Sequence, residues 1–218
     1  VRHVGEPIAL VVADTLANAK SAAELIDVDY EPLDAVIETG DALTPGAPLV
    51  WPQSGSNLAF VYDAGDAAAT DRAFEAAHHV ARIDIVNNRL VCNYMEPRAA
   101  IGEWRADEDR FVLTTGSQGV HSVRRIVAEQ VFSIPQEKLR VITPDVGGGF
   151  GPKVFVYREY PLVLEAAKRL GRPVKWTCDR TEHFLTDAQG RDNLVEAEMA
   201  MDGDGRFQWH ADSVSAEP

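Results

Sequence analysis

The sequence of 218 residues predicts an α+β fold with mixed sheets and flanking helices, and three observations carry that prediction. Short β-branched runs are interspersed with stretches of helical period, a Gly/Pro/Ser-rich segment interrupts the pattern early on, and the later part holds two hairpin signatures. With 45% apolar and 25% charged residues, and no apolar run near the ~18–20 residues a membrane span requires, the composition is that of a soluble globular chain. Acidic side chains outnumber basic ones 34 to 21, a formal charge of −13 that repels phosphate backbones and anionic lipid, so nucleic acid is not expected as a partner.

The elements follow in chain order. Ile8 to Val12 reads as a strand, and the chain opens at Val1 ahead of it, which suggests that sequence upstream has been cut away. Asp14 or Thr15 can cap a helix that places Leu16, Ala19, Ala23 and Ile26 on one face. Asp27 to Val36 is a second strand, broken or at an edge because of Pro32. Glu38 to Asn57 lacks periodicity and reads as a connecting segment.

Beyond it, Asp71 to His79 is predicted helical and Val80 to Val86 a strand. "RAAIGEWRADEDRFVLTTG" reads as a hairpin turning at Ala106 to Asp109. Val120, Val123, Val127 and Val131 recur at helical spacing between Gln118 and Phe132, and Leu139 to Thr143 forms the next strand. Tyr160 to Leu170 is an amphipathic helix that Gly171 and Pro173 end, Val174 to Thr177 is a strand, and the tail is a hairpin with Asp202 to Gly205 at its tip.

The stretch "TPDVGGGFGPK", Thr143 to Lys153, holds the most informative residues. It is not a nucleoside-triphosphate loop, because Pro152 precedes Lys153 and Val154 follows it, leaving no hydroxyl for magnesium. Counting G-x-G-x-x-G from Gly147 puts Pro152 at the last position, so the dinucleotide fingerprint fails as well. A bulge or tight turn needs one or two glycines. Three in succession plus Gly151 cost conformational entropy that a chain usually accepts where a ligand lies flat against backbone amides. Phe150 then forms a wall, and its amide and that of Gly151 point at an oxo group or anion.

With these residues in view, the chain resembles the molybdenum hydroxylases, which comprise xanthine dehydrogenase, aldehyde oxidase and the aerobic carbon monoxide dehydrogenase large subunit. "VRHVGEPIALVVADTLANAKSAAELIDVDYEPLDAVI" is similar to the later part of that family's α/β-hammerhead domain. "NYMEPRAAIGEW", "TTGSQGVHSVRR", "VGGGFGPK" and "GRPVKWTCDRTEHF" follow in the order of its molybdopterin-binding domain. The resemblance implies part of a hammerhead domain over residues 1–45, a linker over 46–65 and the first part of the molybdopterin-binding domain over 66–218.

It further implies molybdopterin cytosine dinucleotide with molybdenum as cofactor, held in part by Gly148, Gly149, Phe150 and Gly151, with the cofactor performing the redox step and the protein positioning it. Asn88 stands where the carbon monoxide dehydrogenase-like branch commonly has a glutamine near the metal, and Val154 replaces a glutamate of purine-oxidising members, which disfavours purine. No residue of this chain is expected to bind the metal directly or act as general base; that glutamate is expected beyond residue 218. The implied substrate is an aldehyde, an N-heterocycle or carbon monoxide. The implied partners are an iron–sulfur small subunit and often a flavin-binding subunit carrying FAD, assembled as a dimer of heterotrimers. The alternative is a non-catalytic binding or assembly module whose glycine loop shapes a protein interface.

Other candidates carry less. Cys92 and Cys178 stand outside any metal-ligand spacing and read as small buried thiols, a usage that fits the cytoplasm. Adjacent His78 and His79 face different directions and suit a helix end or surface. "DGDGR" lacks the closing glutamate of a calcium loop. Glu96 and Arg98 are either an ion pair or a backbone brace, and Gln118 either faces the cofactor cavity or bonds the start of its helix.

Overall fold

Thr15 caps the first helix, its hydroxyl accepting the Asn18 amide at 3.1 Å, and α1 runs Leu16–Ala23. In the computed structural model, which describes residues 1–216, neither flanking segment predicted as a strand joins a ladder. Residues 8–12 and 27–36 are unladdered, and Ile8 and Ile26 stay exposed. A strand exists only with a hydrogen-bonded neighbour, and local β-branching cannot supply one. The connecting segment holds two single-turn 3₁₀ helices, Thr39–Asp41 and Pro52–Ser54. Asn57 pins it, its Nδ2 donating to the carbonyls of Ala42 and Pro48 at 2.9 Å each and its Oδ1 accepting from the Val50 amide.

The chain continues with α2 (Ala67–Glu75), β1 (His79–Asn87), β2 (Leu90–Val91), β3 (Ala99–Arg105) and β4 (Arg110–Thr115). Then come α3 (Val120–Arg125), which passes into a π-helical stretch over Ile126–Val131, β5 (Leu139–Ile142) and α4 (Glu159–Leu170). Last are β6 (Val174–Thr177), α5 (Arg180–Thr186), β7 (Gln189–Gly190), β8 (Asn193–Met201) and β9 (Phe207–Ala216). Helix α2 starts four residues ahead of its predicted position because the Asp66 carboxylate accepts the Ala69 amide at 2.9 Å. It stops at Glu75, since the His78 amide is already committed to the Met201 carbonyl.

Contacts group residues 1–30 with 91–189 in one unit, and residues 31–90 with 190 onward in another. In the second, β1, β8 and β9 form an antiparallel sheet in that order. The β8–β9 hairpin turns at Asp202, whose Oδ1 accepts the amides of Asp204 and Arg206 at 2.9 Å each, so "DGDGR" is a hairpin tip.

The first unit is built on a four-stranded sheet ordered β5-β4-β3-β6, antiparallel except for the parallel β4–β5 pair. Helix α4 lays Tyr160, Val163, Leu164 and Ala167 on it, one face at the spacing of a buried helix, and ends at left-handed Gly171. Gly102 of β3 lets that helix approach: a Cβ there would lie 2.5 Å from the backbone of Val163. Val123 and Val127 join the core from α3 and its π-helical continuation, whereas Val131 turns outward, because the wider π turn rotates it off the predicted stripe.

Candidate functional site

Strand β5 hands the chain to the glycine loop, and each glycine there has a local reason. A Cβ on Gly147 would stand 2.6 Å from Cβ of Glu96, and one on Gly149 would stand 2.3 Å from Oε1 of Gln118. Gly148 and Gly151 take φ of +98° and +103°, which side chains rarely adopt. Phe150 adopts φ of +51° without being glycine, and its side chain is 77% exposed at the apex. Strain of this kind persists only where surrounding structure over-determines it.

Two fastenings supply that determination. At one end the Gly147 amide donates to Oε2 of Glu96 at 2.9 Å, and the Glu96 amide donates back to the Gly147 carbonyl at 3.3 Å. At the other end the Gly151 amide donates to Oε1 of Gln118 at 2.9 Å. Between them the amides of Gly148, Gly149 and Phe150 meet no acceptor among the described residues. The expectation that the Gly151 amide faces a ligand is therefore corrected: Gln118 occupies it, and the amides without a protein acceptor are those of its three predecessors.

That arrangement fits a ligand oxygen, since three neighbouring N–H groups, one on a buried glycine, lack the partner that buried donors ordinarily have. Gln118 is brought to the loop and its side chain makes no cap bond at the start of α3; with Oε1 engaged it turns its Nε2 donors away from Gly151. Asn88 lies exposed just after β1, in the unit of residues 31–90 and 190 onward, apart in the chain's organisation from the loop's own unit.

Beneath the loop, Lys153 is 1% exposed and donates to the Glu96 carbonyl at 2.9 Å and to Glu96 Oε2 at 2.8 Å. Its ammonium also sits 4.5 Å from the centroid of the Tyr94 ring. The Lys153 hydrogen bond holds the Glu96 carboxyl below the usual carboxylate range, against the effect of burial and aided by the Gly147 amide. Glu96 is thus a backbone brace and not the partner of Arg98.

Arg98 is fully buried in a separate network. Its guanidinium lies 3.2 Å from Glu159 Oε2 and 3.2 Å from Asp187 Oδ1, donates to Thr186 Oγ1 at 2.7 Å, and stacks 3.7 Å from the Tyr157 ring centroid. The Nε contact to Asp187 is an ion pair without hydrogen-bond alignment. Asp187 in turn accepts the hydroxyls of Tyr94 and Tyr157, at 2.7 and 2.5 Å. Burial, and then these bonds to Asp187, push both phenols up, so they stay protonated donors.

Reading the sequence for chemistry missed Tyr94, Lys153 and Asp187 as supports. Helix α5, which carries Asp187 at its end, was also missed; its signal was Asp179, whose carboxylate caps it by accepting the Glu182 amide at 2.8 Å. Cys178 is buried as expected, and burial pushes its thiol up to about 12. Cys92 is only half-buried. No group of three or more potential metal ligands occurs among the described residues, and among them no helix is long and apolar enough to cross a membrane.

Known proteins resemble this chain along most of its length. The family model of the molybdopterin cofactor-binding domain matches residues 50–215, and that of the aldehyde oxidase and xanthine dehydrogenase a/b hammerhead domain matches residues 1–34. The chain is 36% identical to the 6-hydroxypseudooxynicotine dehydrogenase complex subunit gamma of Paenarthrobacter nicotinovorans, over 98% of this chain and 26% of that protein. It is 34% identical to the carbon monoxide dehydrogenase large chain of Hydrogenophaga pseudoflava, over 93% of this chain and 26% of that one. Among solved structures, quinoline 2-oxidoreductase from Pseudomonas putida 86 superposes with a TM-score of 0.81 at 32% identity, covering 93% of this chain and 25% of that one. The chain thus spans about a quarter of the length of the curated relatives it matches.

Proposed function

This chain belongs to the family of molybdopterin cofactor-binding domains, and from that premise we propose that it forms one wall of the active site of a molybdenum hydroxylase large subunit. The observation that carries the reading is the row of three unclaimed amides at Gly148, Gly149 and Phe150, fixed at both ends and projecting around an exposed aromatic ring. The cofactor proposed is molybdopterin cytosine dinucleotide with molybdenum, and when bound it supplies the two-electron chemistry of hydroxylation with oxygen drawn from water.

What this chain's own residues do is bind and orient. The three amides donate to an oxygen of the bound group without carrying formal charge, and Gln118 Nε2 adds a carboxamide donor from the loop's far end. Phe150 would exclude water from one side, and Asn88 is proposed as a cofactor-binding residue on the resemblance alone. No residue here is assigned the proton transfer.

We assign residues 1–45 to the hammerhead part, 46–65 to the connection and 66–218 to the cofactor domain. The substrate class proposed is an aldehyde, an N-heterocycle or carbon monoxide, and Val154 beside the loop argues against purine. Relatives that are a complex subunit and a large chain support assembly with other subunits, and the partners proposed are an iron–sulfur small subunit and often a flavin-binding medium subunit carrying FAD, in a cytoplasmic dimer of heterotrimers. The assembly-module alternative gains no observation in its favour.

The test is elemental and nucleotide analysis of the protein at its natural length after cofactor maturation. Stoichiometric molybdenum with released cytosine nucleotide is expected, and the absence of both overturns the reading.

A further inference from the structure

The loop's two fastenings meet in one residue, one through its side chain and the other through its backbone carbonyl. Lys153 donates twice to Glu96, which binds the Gly147 amide, while the Lys153 carbonyl accepts the Gln118 amide at 3.0 Å and the Ser117 hydroxyl at 3.3 Å. Gln118 in turn binds the Gly151 amide. Both ends of the strained stretch are therefore referred to a single residue. A lysine is seldom buried to this degree unless its ammonium is matched, and here Glu96 and the Tyr94 ring match it.

We propose that Lys153 and Glu96 are positioning residues, a clasp that holds Gly148, Gly149 and Phe150 with their amides turned outward before any ligand arrives. The inference rests on the function proposed above for what the loop receives, but the clasp itself is testable without a ligand. Donors that need no reorganisation at the moment of binding are worth more than donors that must first be ordered. Without the clasp, only the Glu96 amide on the Gly147 carbonyl still ties that end, which leaves Phe150 freer to relax to negative φ.

The clasp has a proton-dependent half. Lys153 is the charged group that faces Glu96; the other neighbours, Gly116, Val146 and Gly147, carry no titratable side chain. Because the carboxyl is held below its ordinary range, its grip is fully present above that range and is lost as pH falls through the lowered folded value.

The experiment is residue-resolved amide hydrogen exchange on the cofactor-free protein at natural length, comparing wild type with Lys153→Met, Glu96→Ala and Glu96→Gln. Exchange at Gly147 is expected to rise at least about ten-fold in Lys153→Met, with Gly151, β3 and β4 unchanged, because the Lys153 backbone carbonyl still accepts the Gln118 amide. In Glu96→Gln, whose carboxamide oxygen still accepts the Gly147 amide, the rise is smaller than in Glu96→Ala, and the acid-dependent loss of protection disappears. No response at Gly147 in Lys153→Met, a uniform rise over β3 and β4, or an acid dependence that persists in Glu96→Gln overturns the clasp. Should Lys153→Met fail to fold, the two Glu96 variants at a half-exposed carboxylate decide the question. In holoprotein, pterin release is expected to be at least about ten-fold faster in Glu96→Ala than in wild type, and an equal rate overturns the positioning role. A wild type that never holds pterin sinks the proposed function instead, while the exchange results still judge the clasp.

Discussion

The hydroxyl of Tyr94 donates to Oδ2 of Asp187 at 2.7 Å, joining the chain just before "MEP" to the residue that ends α5. The same tyrosine lies under the glycine loop, where a Cβ on Gly148 would come within 3.0 Å of its Cβ, and its ring faces Lys153. One side chain thus links the buried ion network to the loop.

Tyr94→Phe keeps the ring beneath Lys153 and removes the donor to a fully buried carboxylate. A loss of about 1–3 kcal/mol in unfolding free energy is expected, measured by urea titration. Because the ring remains, Gly147 and Gly151 keep their exchange protection, and loss of that protection would show that the hydroxyl, not the ring, supports the loop.

Arg98→Met strands Glu159 and Asp187 as uncompensated buried carboxylates. The expected cost is roughly 3–5 kcal/mol, seen as a lower denaturation midpoint. Arg98→Lys is expected to recover only part of it, since an ammonium cannot reach both carboxylates and Thr186 in the planar fork that the guanidinium presents.

Two glycine substitutions should fail differently. Gly102→Ala drives a methyl into the Val163 backbone, which cannot swing aside, and roughly 1–3 kcal/mol of global stability is lost. Gly149→Ala meets the end of the Gln118 side chain, which can move away. Its expected signature is release of the Gly151 amide in hydrogen exchange with a smaller change in the global midpoint.

His183 is buried, and burial lowers its basicity more than Asp187 raises it; Arg180 and Arg98 also act against its protonation. Its Nε2 faces the Cys92 carbonyl at 3.2 Å. The unfolded chain therefore binds a proton that the folded chain refuses, so stability is full above the ordinary imidazole value of about 6.5 and declines as pH falls below it. Stability curves against pH should show this slope in wild type and a reduced one in His183→Gln. Identical slopes would refute the assignment.

The hairpin at Ala106–Asp109, helix α4 and the helix-to-strand passage into the glycine loop were legible because their signals are local: turn residues, a buried stripe at 3.6 spacing, and Gly171 at a left-handed cap. Ile8–Val12 misled because β-branching announces a strand but not its partner. The four glycines were legible as a constraint, yet their individual causes were not, since Glu96 and Gln118 lie about 30 to 50 residues away in sequence and only folding sets them against Gly147 and Gly149. For the same reason the sequence leaves Glu96 and Arg98, two residues apart, as either an ion pair or a backbone brace, whereas they belong to different networks, one with Lys153 and the other with Glu159 and Asp187.

The chain leaves the unit of its first 30 residues, returns to it at residue 91 and leaves again at residue 189. Cleavage at any one peptide bond therefore yields two pieces, neither of which holds a whole unit and nothing else. Truncation near residue 90 would separate residues 1–30 from the unit they are grouped with, so isolating the loop-bearing unit calls for a redesigned connection from residue 30 to residue 91, not for a shorter clone.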